Sequence, residues 1–484
     1  MANKILYRNK NISHEVTKTQ SHRKNFLCSY LKHQYDSRII KKSLLINLIN
    51  MVKVTENKIK ILPKILKTNF GQISQLLSEF SSVYENIFYY SNPASDFEVL
   101  AVGRVISFES NYEDINELHN ILQNTIEIKD FEFEGISFPL FFGYCKFPSP
   151  IKEDLWNDFK DSEWILPEFI LYKKSNKSLQ ISFSQNSAQI DKIISSNREI
   201  KRQQKRKLGK LKEINSDSFI SWEKKLNAAV EMIKHDKLKK IVLSRKKEFK
   251  LIDEVDFSDI IETLNIDYQN SFNFLIKSAD SYYLGSSPEL LAEINGDKFK
   301  SEALAGSIER GKSESEDISL SEFLLSDSKN LNEHQIVIDY LKSSLEDCVT
   351  DFRFENKPEI KKLKNIQHLN TKIKGQIKAD RNIFNLISKI FPTPAVCGIP
   401  KEVAINELSK LEGFERGIFT GIIGWINFNK QAEFYVAIRS GLFKENRLSV
   451  FAGCGIVEDS VTVNEYNETE LKLKVITDLF DVEN

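Results

Sequence analysis

The chain has 484 residues, of which 41% are hydrophobic, enough to bury one large core or two modest ones. Lysine plus arginine and aspartate plus glutamate number 68 each, a balance that removes any global electrostatic case for nucleic acid or an anionic membrane as partner. Five cysteines without metal spacing (Cys28, Cys145, Cys348, Cys397, Cys454) leave an odd thiol and favour a reducing compartment, and no apolar run approaches the roughly 20 residues that cross a bilayer.

Residues 1–60 are rich in Lys, Arg, Asn and Ser, poor in acids, and hold one short apolar piece at 44–49. This basic N-terminal extension fits three readings equally: a transit peptide, a start assigned too early with Met51 as initiator, or a poorly ordered tail. The expected location is cytoplasmic, or plastidic if the extension is a transit peptide. From about residue 66, apolar runs such as 97–105 read as strands, and 115–126 and 222–233 read as amphipathic helices. The basic run 200–212 lacks interleaved aromatics, so it is expected as a solvated helix face joining two halves rather than a nucleic-acid surface.

Residues 306–313, Gly-Ser-Ile-Glu-Arg-Gly-Lys-Ser, fit the phosphate-loop pattern G-x-x-x-x-G-K-[ST]. The context argues against it. Residues 295–302 form a polar turn and a short strand at best, and the next helix opens with Glu314, Glu316 and Asp317 where phosphate would be repelled. Residues 336–339 come too soon for an acidic partner strand and share a helical period with Leu341 and Leu345. A nucleotide hydrolase is the remote alternative, and a loop with a charged rim the expectation.

Two flanking segments carry more. Tyr283-Leu-Gly-Ser-Ser-Pro-Glu-Leu-Leu291 runs from an apolar strand into a turn that presents Glu289, and Ser301-Glu-Ala-Leu-Ala-Gly-Ser307 follows. The pair resembles the chorismate-utilising enzymes, which include isochorismate, anthranilate, aminodeoxychorismate and salicylate synthases. Further matches follow in order at 240–245, 329–334, 366–369, 391–398, 421–425, 437–439, 451–457 and 465–472. The likeness is dense from about residue 220 onward, and 141–144, 156–159 and 166–168 resemble the N-terminal half of isochorismate synthases. It implies one catalytic domain over 61–484. The fold class it implies is α+β, a large chorismate-binding fold with two packed β-sheets, helices on the outside and the site between the sheets.

Converting chorismate to isochorismate adds water at C2 and removes the C4 hydroxyl, which needs a base on one side and an acid on the other, with a divalent cation to hold the ring carboxylate. By resemblance Lys240 is the base, Glu289 the acid, Glu333 and Glu468 direct Mg2+ ligands, and Glu465 an indirect one through water. Arg439 and Lys472 bind substrate carboxylates, Gly453 and Gly455 let the substrate approach the backbone, and Ala305, Gly306, Ser307, His368 and Phe419 line the site. The residues alone support duller readings. Lys240 sits among Lys237, Lys239, Lys246 and Lys247, where a lone lysine is a surface charge, and only its place at the head of the apolar stretch 241–243 can turn it inward. Glu465, Glu468 and Lys472 share a helix face as an ordinary ion pair would. His368 suits a core hydrogen-bonding role equally well.

Within the family, glutamine replaces Lys240 in the ammonia-using enzymes, and aminodeoxychorismate synthases commonly carry a nucleophilic lysine at the position of Ala305. Isochorismate synthase is therefore expected, with salicylate synthase as the alternative. No amidotransferase subunit is expected, and the chain is expected to be a monomer or weak homodimer. The product would feed menaquinone or phylloquinone, a siderophore, or salicylate. Two departures stand out: Phe419 replaces a frequent tyrosine, and Asn330 replaces a frequent acid.

Overall fold

The computed structural model describes residues 52–483 apart from 56–57, 62, 68–70, 110–125, 129, 184–187 and 197–206. The first fifty residues, most of the expected helix at 115–126 and the start of the basic run at 200–212 lie outside the described residues. The remainder of that run is not helical. Lys210–Ser216 is a strand paired with Lys240–Leu251 on one side and Asp481–Glu483 on the other, with Leu211 buried opposite Leu251; this pairing overrides the helical reading of its charges.

Two large antiparallel-rich sheets, of 13 and 10 strands among the described residues, face one another. Their shared core is aromatic: Phe88 and Tyr90 of one sheet pack on Phe142 of the other, and Phe272 stacks on Tyr435 with centroids 3.9 Å apart. Helices cover the outer faces. Phe219–Lys234, capped by Ser218, buries Trp222, Leu226, Ala229, Val230 and Ile233 at the expected spacing, and packs with Lys401–Glu412 around Lys240–Leu251. Thr462–Thr477 lies over Arg447–Ile456.

The chain passes between the sheets at two adjacent crossovers. Strand Ser281–Ser287 of the larger sheet leads through Pro288 and Glu289 into Leu290–Asn295 of the smaller, and Gln431–Val436 of the smaller returns through residues 437–439 to Ser440–Lys444 of the larger. Hydrogen bonds knit the two together: Val436 N–H to Glu289 O and Ser286 N–H to Arg439 O, each 3.1 Å, and Ser287 Oγ to Val436 O, 2.6 Å. Glu289 and Arg439 are thus held side by side by backbone.

The strand expected to be short at 298–302 runs from Lys298 to Glu309. Gly306, at φ +78°, makes a bulge between Ala305 and Ser307 that lets the strand continue along Ile366–Ile377. The first half of the phosphate-loop pattern is therefore extended strand.

Candidate active site

Lys240 is the first residue of its strand and is fully buried. The strand is fastened from behind: Arg416 donates to Val242 O, Glu412 accepts from Ser244 N, and Arg416 and Glu412 pair with each other. Lys240 Nζ lies 2.9 Å from Glu333 Oε1, an ion pair whose geometry makes no hydrogen bond. Glu333 projects from helix Ser328–Leu345. Burial pushes its carboxyl up, but the charge of Lys240 beside it outweighs that and holds it below the ordinary value. The contact depends on Gly455 of the neighbouring strand, since a Cβ there would fall 2.1 Å from Glu333 Oε1 and 2.8 Å from Lys240 Cε.

Helix Thr462–Thr477 turns Glu465, Glu468 and Lys472 the same way. Lys472 Nζ is 2.6 Å from Glu468 Oε1 and donates to Gly453 O at 2.8 Å, while Lys329 donates to Glu465. Burial, then repulsion from Glu468, raise the Glu465 carboxyl above its ordinary value, with Glu333 adding to it. Three carboxylates thus crowd one region, each beside its own lysine. Among the described residues no group of three His, Cys, Asp or Glu side chains is gathered closely enough to grip a metal ion as it stands. The donor chemistry nevertheless suits a hard divalent cation, which takes carboxylate oxygens and would relieve the mutual repulsion.

Glu289 is buried in the first crossover, and burial pushes its carboxyl up to about 7, against the opposing charges of Lys240, Lys361 and Lys472. That is a penalty of roughly 3 kcal/mol on the charged form. In the second crossover Arg439 holds a left-handed backbone, φ 56°, and is buried. Its Nη2 donates to His368 Nε2 at 2.8 Å, and its Nη1 has no partner. Since arginine only donates, His368 carries its proton on Nδ1 and gives it to Ser307 Oγ, 2.9 Å away. Burial, reinforced by Arg439, keeps His368 neutral, well below its ordinary pKa.

All the residues singled out from the sequence except Lys240 and Glu465 line one cavity of about 60 Å³. It has room for a few waters and falls short of the ~300 Å³ typical of a small-molecule pocket. A roomier cavity of about 630 Å³ lies beside Leu290–Asn295, walled by Tyr172, Phe272, Trp425 and Tyr435 among others, and none of the singled-out residues reaches it. Size does not make it the reaction site: burial raises the Glu433 carboxyl in its wall, but neither Glu289 nor Arg439, with its unpartnered Nη1, lines it.

Chorismate binding enzyme is the family that matches residues 48–481. The chain belongs to the chorismate-binding enzymes. Isochorismate synthase MenF of Bacillus subtilis is 29% identical over 410 residues, covering 80% of this chain and 86% of that protein. The salicylate biosynthesis isochorismate synthase of Pseudomonas aeruginosa is 34% identical over 255 residues, 53% of each chain. Among solved structures, a putative 2,3-dihydroxybenzoate-specific isochorismate synthase, DhbC of Bacillus anthracis, superposes with a TM-score of 0.65 at 26% identity, over 83% of this chain and 99% of that one. The menaquinone-specific isochorismate synthase MenF of Escherichia coli shares the fold, with a TM-score of 0.70 at 20% identity over 91% of this chain and all of that one.

The structure also says what the phosphate-loop pattern does in this chorismate-binding enzyme. Gly311 N–H donates to Asp317, Lys312 N–H to Glu316, and Arg310 grips Asp317 through Nε and Nη2 at 2.6 and 2.9 Å. The amides that would cradle a phosphate are already taken by the protein's own carboxylates.

The two departures differ in consequence. Phe419 packs on Phe451 with centroids 5.3 Å apart and fills the wall. Asn330 joins the helix start to the bulge: Asp327 accepts from its N–H and Nδ2, and its Oδ1 accepts Ser307 N–H. Sequence reasoning missed His334, whose ring bridges Ala305 O and Thr371 Oγ1 behind the cavity and which burial depresses to about 4. It also missed Lys361. The place of Lys361 in the run Lys361-Lys362-Leu363-Lys364 reads as solvated surface, and no local signal reveals its partner.

Proposed function

We propose that the chain isomerises chorismate to isochorismate. The observation that carries this reading is a buried carboxyl, Glu289, held near pKa 7 and facing the charge of a fully buried lysine, Lys240, which is paired with Glu333. In the proposed reaction Lys240, acting as the base after giving up its own proton, takes a proton from the water that adds at C2. The ring double bonds shift, and protonated Glu289 gives its proton to the C4 hydroxyl, which leaves as water. One water enters and one departs, and the two side chains end with their protonation exchanged. Arg439, through its unpartnered Nη1, and Lys472 receive the substrate carboxylates, while Ser307 is oriented by His368.

Mg2+ is the proposed cofactor, with Glu333 and Glu468 as direct ligands and Glu465 acting through water; when bound it would offset charge on the ring carboxylate as the double bonds move. Lysine at 240 and alanine at 305 favour water over ammonia as nucleophile, so action without an amidotransferase subunit is part of the proposal. Supply of a naphthoquinone route is the preferred destination, in keeping with the menaquinone-specific relative named above.

The test is incubation of chorismate with Mg2+ or with EDTA, products resolved by chromatography, alongside Lys240→Ala. Magnesium-dependent isochorismate, lost in the variant, is expected. Salicylate with pyruvate would move the assignment to salicylate synthase, and an absence of turnover in the wild type overturns it.

A further inference from the structure

Pro288 and Glu289 are held on one side by the second crossover, as described. On the other side the only charged group bonded to this turn among the described residues is Lys361. Its Nζ donates to Pro288 O at 2.6 Å and to Glu302 Oε2 at 2.7 Å. It arrives from Glu359–Lys362, a short edge strand in which Lys361 lies opposite His368. Lys361 and Glu302 are each about four-fifths buried, at 20% and 17% side-chain exposure, so their bond is only partly screened. A surface lysine gains little by giving up hydration for a carbonyl; here the carbonyl belongs to the peptide bond preceding the carboxyl that the reaction uses.

We infer that Lys361 is a positioning residue for Glu289, clamping the turn that carries it and, with Glu302, setting the charge it faces. The inference rests on the proposed role of Glu289. The charged groups facing Glu289 are Lys240, Lys361, Glu302, Lys472 and Arg439. Lys361 and Glu302 act on it in opposite senses: the cation lowers its pKa and the anion raises it. That opposition separates a specific role from mere loosening of the edge strand, which would move both variants alike.

The experiment titrates Glu289 in protein labelled with 13C at the glutamate carboxyl, its signal assigned by loss in Glu289→Gln, for wild type, Lys361→Met, Lys361→Arg and Glu302→Gln. Melting curves verify that each variant is folded. Lys361→Met is expected to raise the Glu289 midpoint by about half a pH unit or more, a threefold or larger gain in protonated fraction above the midpoint. Glu302→Gln is expected to lower it, and Lys361→Arg to leave it near the wild-type value. In turnover assays Lys361→Met should lower kcat with little change in KM, with Lys361→Arg restoring most of the loss. An unmoved midpoint in Lys361→Met, or shifts of the same sign in Lys361→Met and Glu302→Gln, overturns the inference. The titration needs no substrate, so it decides the matter even if chorismate is not turned over, an outcome that would instead remove the proposed function.

Discussion

Two regions of this molecule combine glycine, lysine, serine and carboxylates, and they treat their charges in opposite ways. Around residues 310–317 the amides of Gly311 and Lys312 and the charge of Asp317 are answered from within: Asp317 accepts from Arg310, Lys362 and Gly311, and these bonds hold its carboxyl well below the ordinary range. In the cavity, Arg439 has a bare Nη1 and Glu289 is forced toward neutrality. A satisfied cluster stabilises a loop, whereas an unsatisfied buried one costs stability that only a bound ligand repays. The part of the motif-like string from Arg310 onward is thus closed on itself, while its Gly306 and Ser307 line the cavity, and the chemistry lies where electrostatic demand is unmet.

The sharpest way to break that contrast is to remove one lysine from each region. Lys240→Ala should lower kcat for chorismate by roughly 10²–10⁴-fold, while Lys312→Ala should change it less than about twofold, as measured by steady-state kinetics; equal losses would erase the distinction. Next comes Gly455→Ala. Its Cβ would drive Glu333 from Lys240, and displacement on the order of 1 Å at a reacting group predicts about a 100-fold loss in kcat with folding intact by circular dichroism.

A third test reads the perturbed acid directly. Glu289 must be protonated to act, so kcat should fall as pH rises through about 7, and Glu289→Gln should be slow with that alkaline limb gone. The smallest effect belongs to the satisfied cluster. Asp317 has a depressed folded pKa, so its stabilisation is present above its unfolded value near 3.9 and is lost as pH falls toward the folded one. Asp317→Asn should therefore melt roughly 1–3 °C below wild type at pH 7, with the gap closing below pH 4 and turnover at pH 7 unaffected.

Local pattern carried much of the fold. The apolar spacing of 222–233 and of 337, 341 and 345 marks helices that form, and the turn at Glu289 is where the chain changes sheets. What local pattern lacks is anything set by long-range pairing. The bulge at Gly306 extends a strand that polar composition had cut short, and pairing with a strand on each side turned part of a basic run into strand. At the site, the residues named by resemblance come together around one cavity, but their partners do not announce themselves. Lys361 reaches back 73 positions to Pro288, and the tautomer of His368 is fixed by an arginine 71 residues away. Asn330, standing where relatives often have an acid, braces the bulge. Such facts depend on which strands lie side by side.

The paired crossovers also give the molecule a built-in gauge. Val436 N–H ends on Glu289 O and Ser286 N–H on Arg439 O, so the deuterium-exchange rates of these two amides follow the spacing of acid and guanidinium without substrate, metal or label at the site. Substitutions that pry the sheets apart, however remote, should speed both amides together, and those that disturb only side chains should leave both slow.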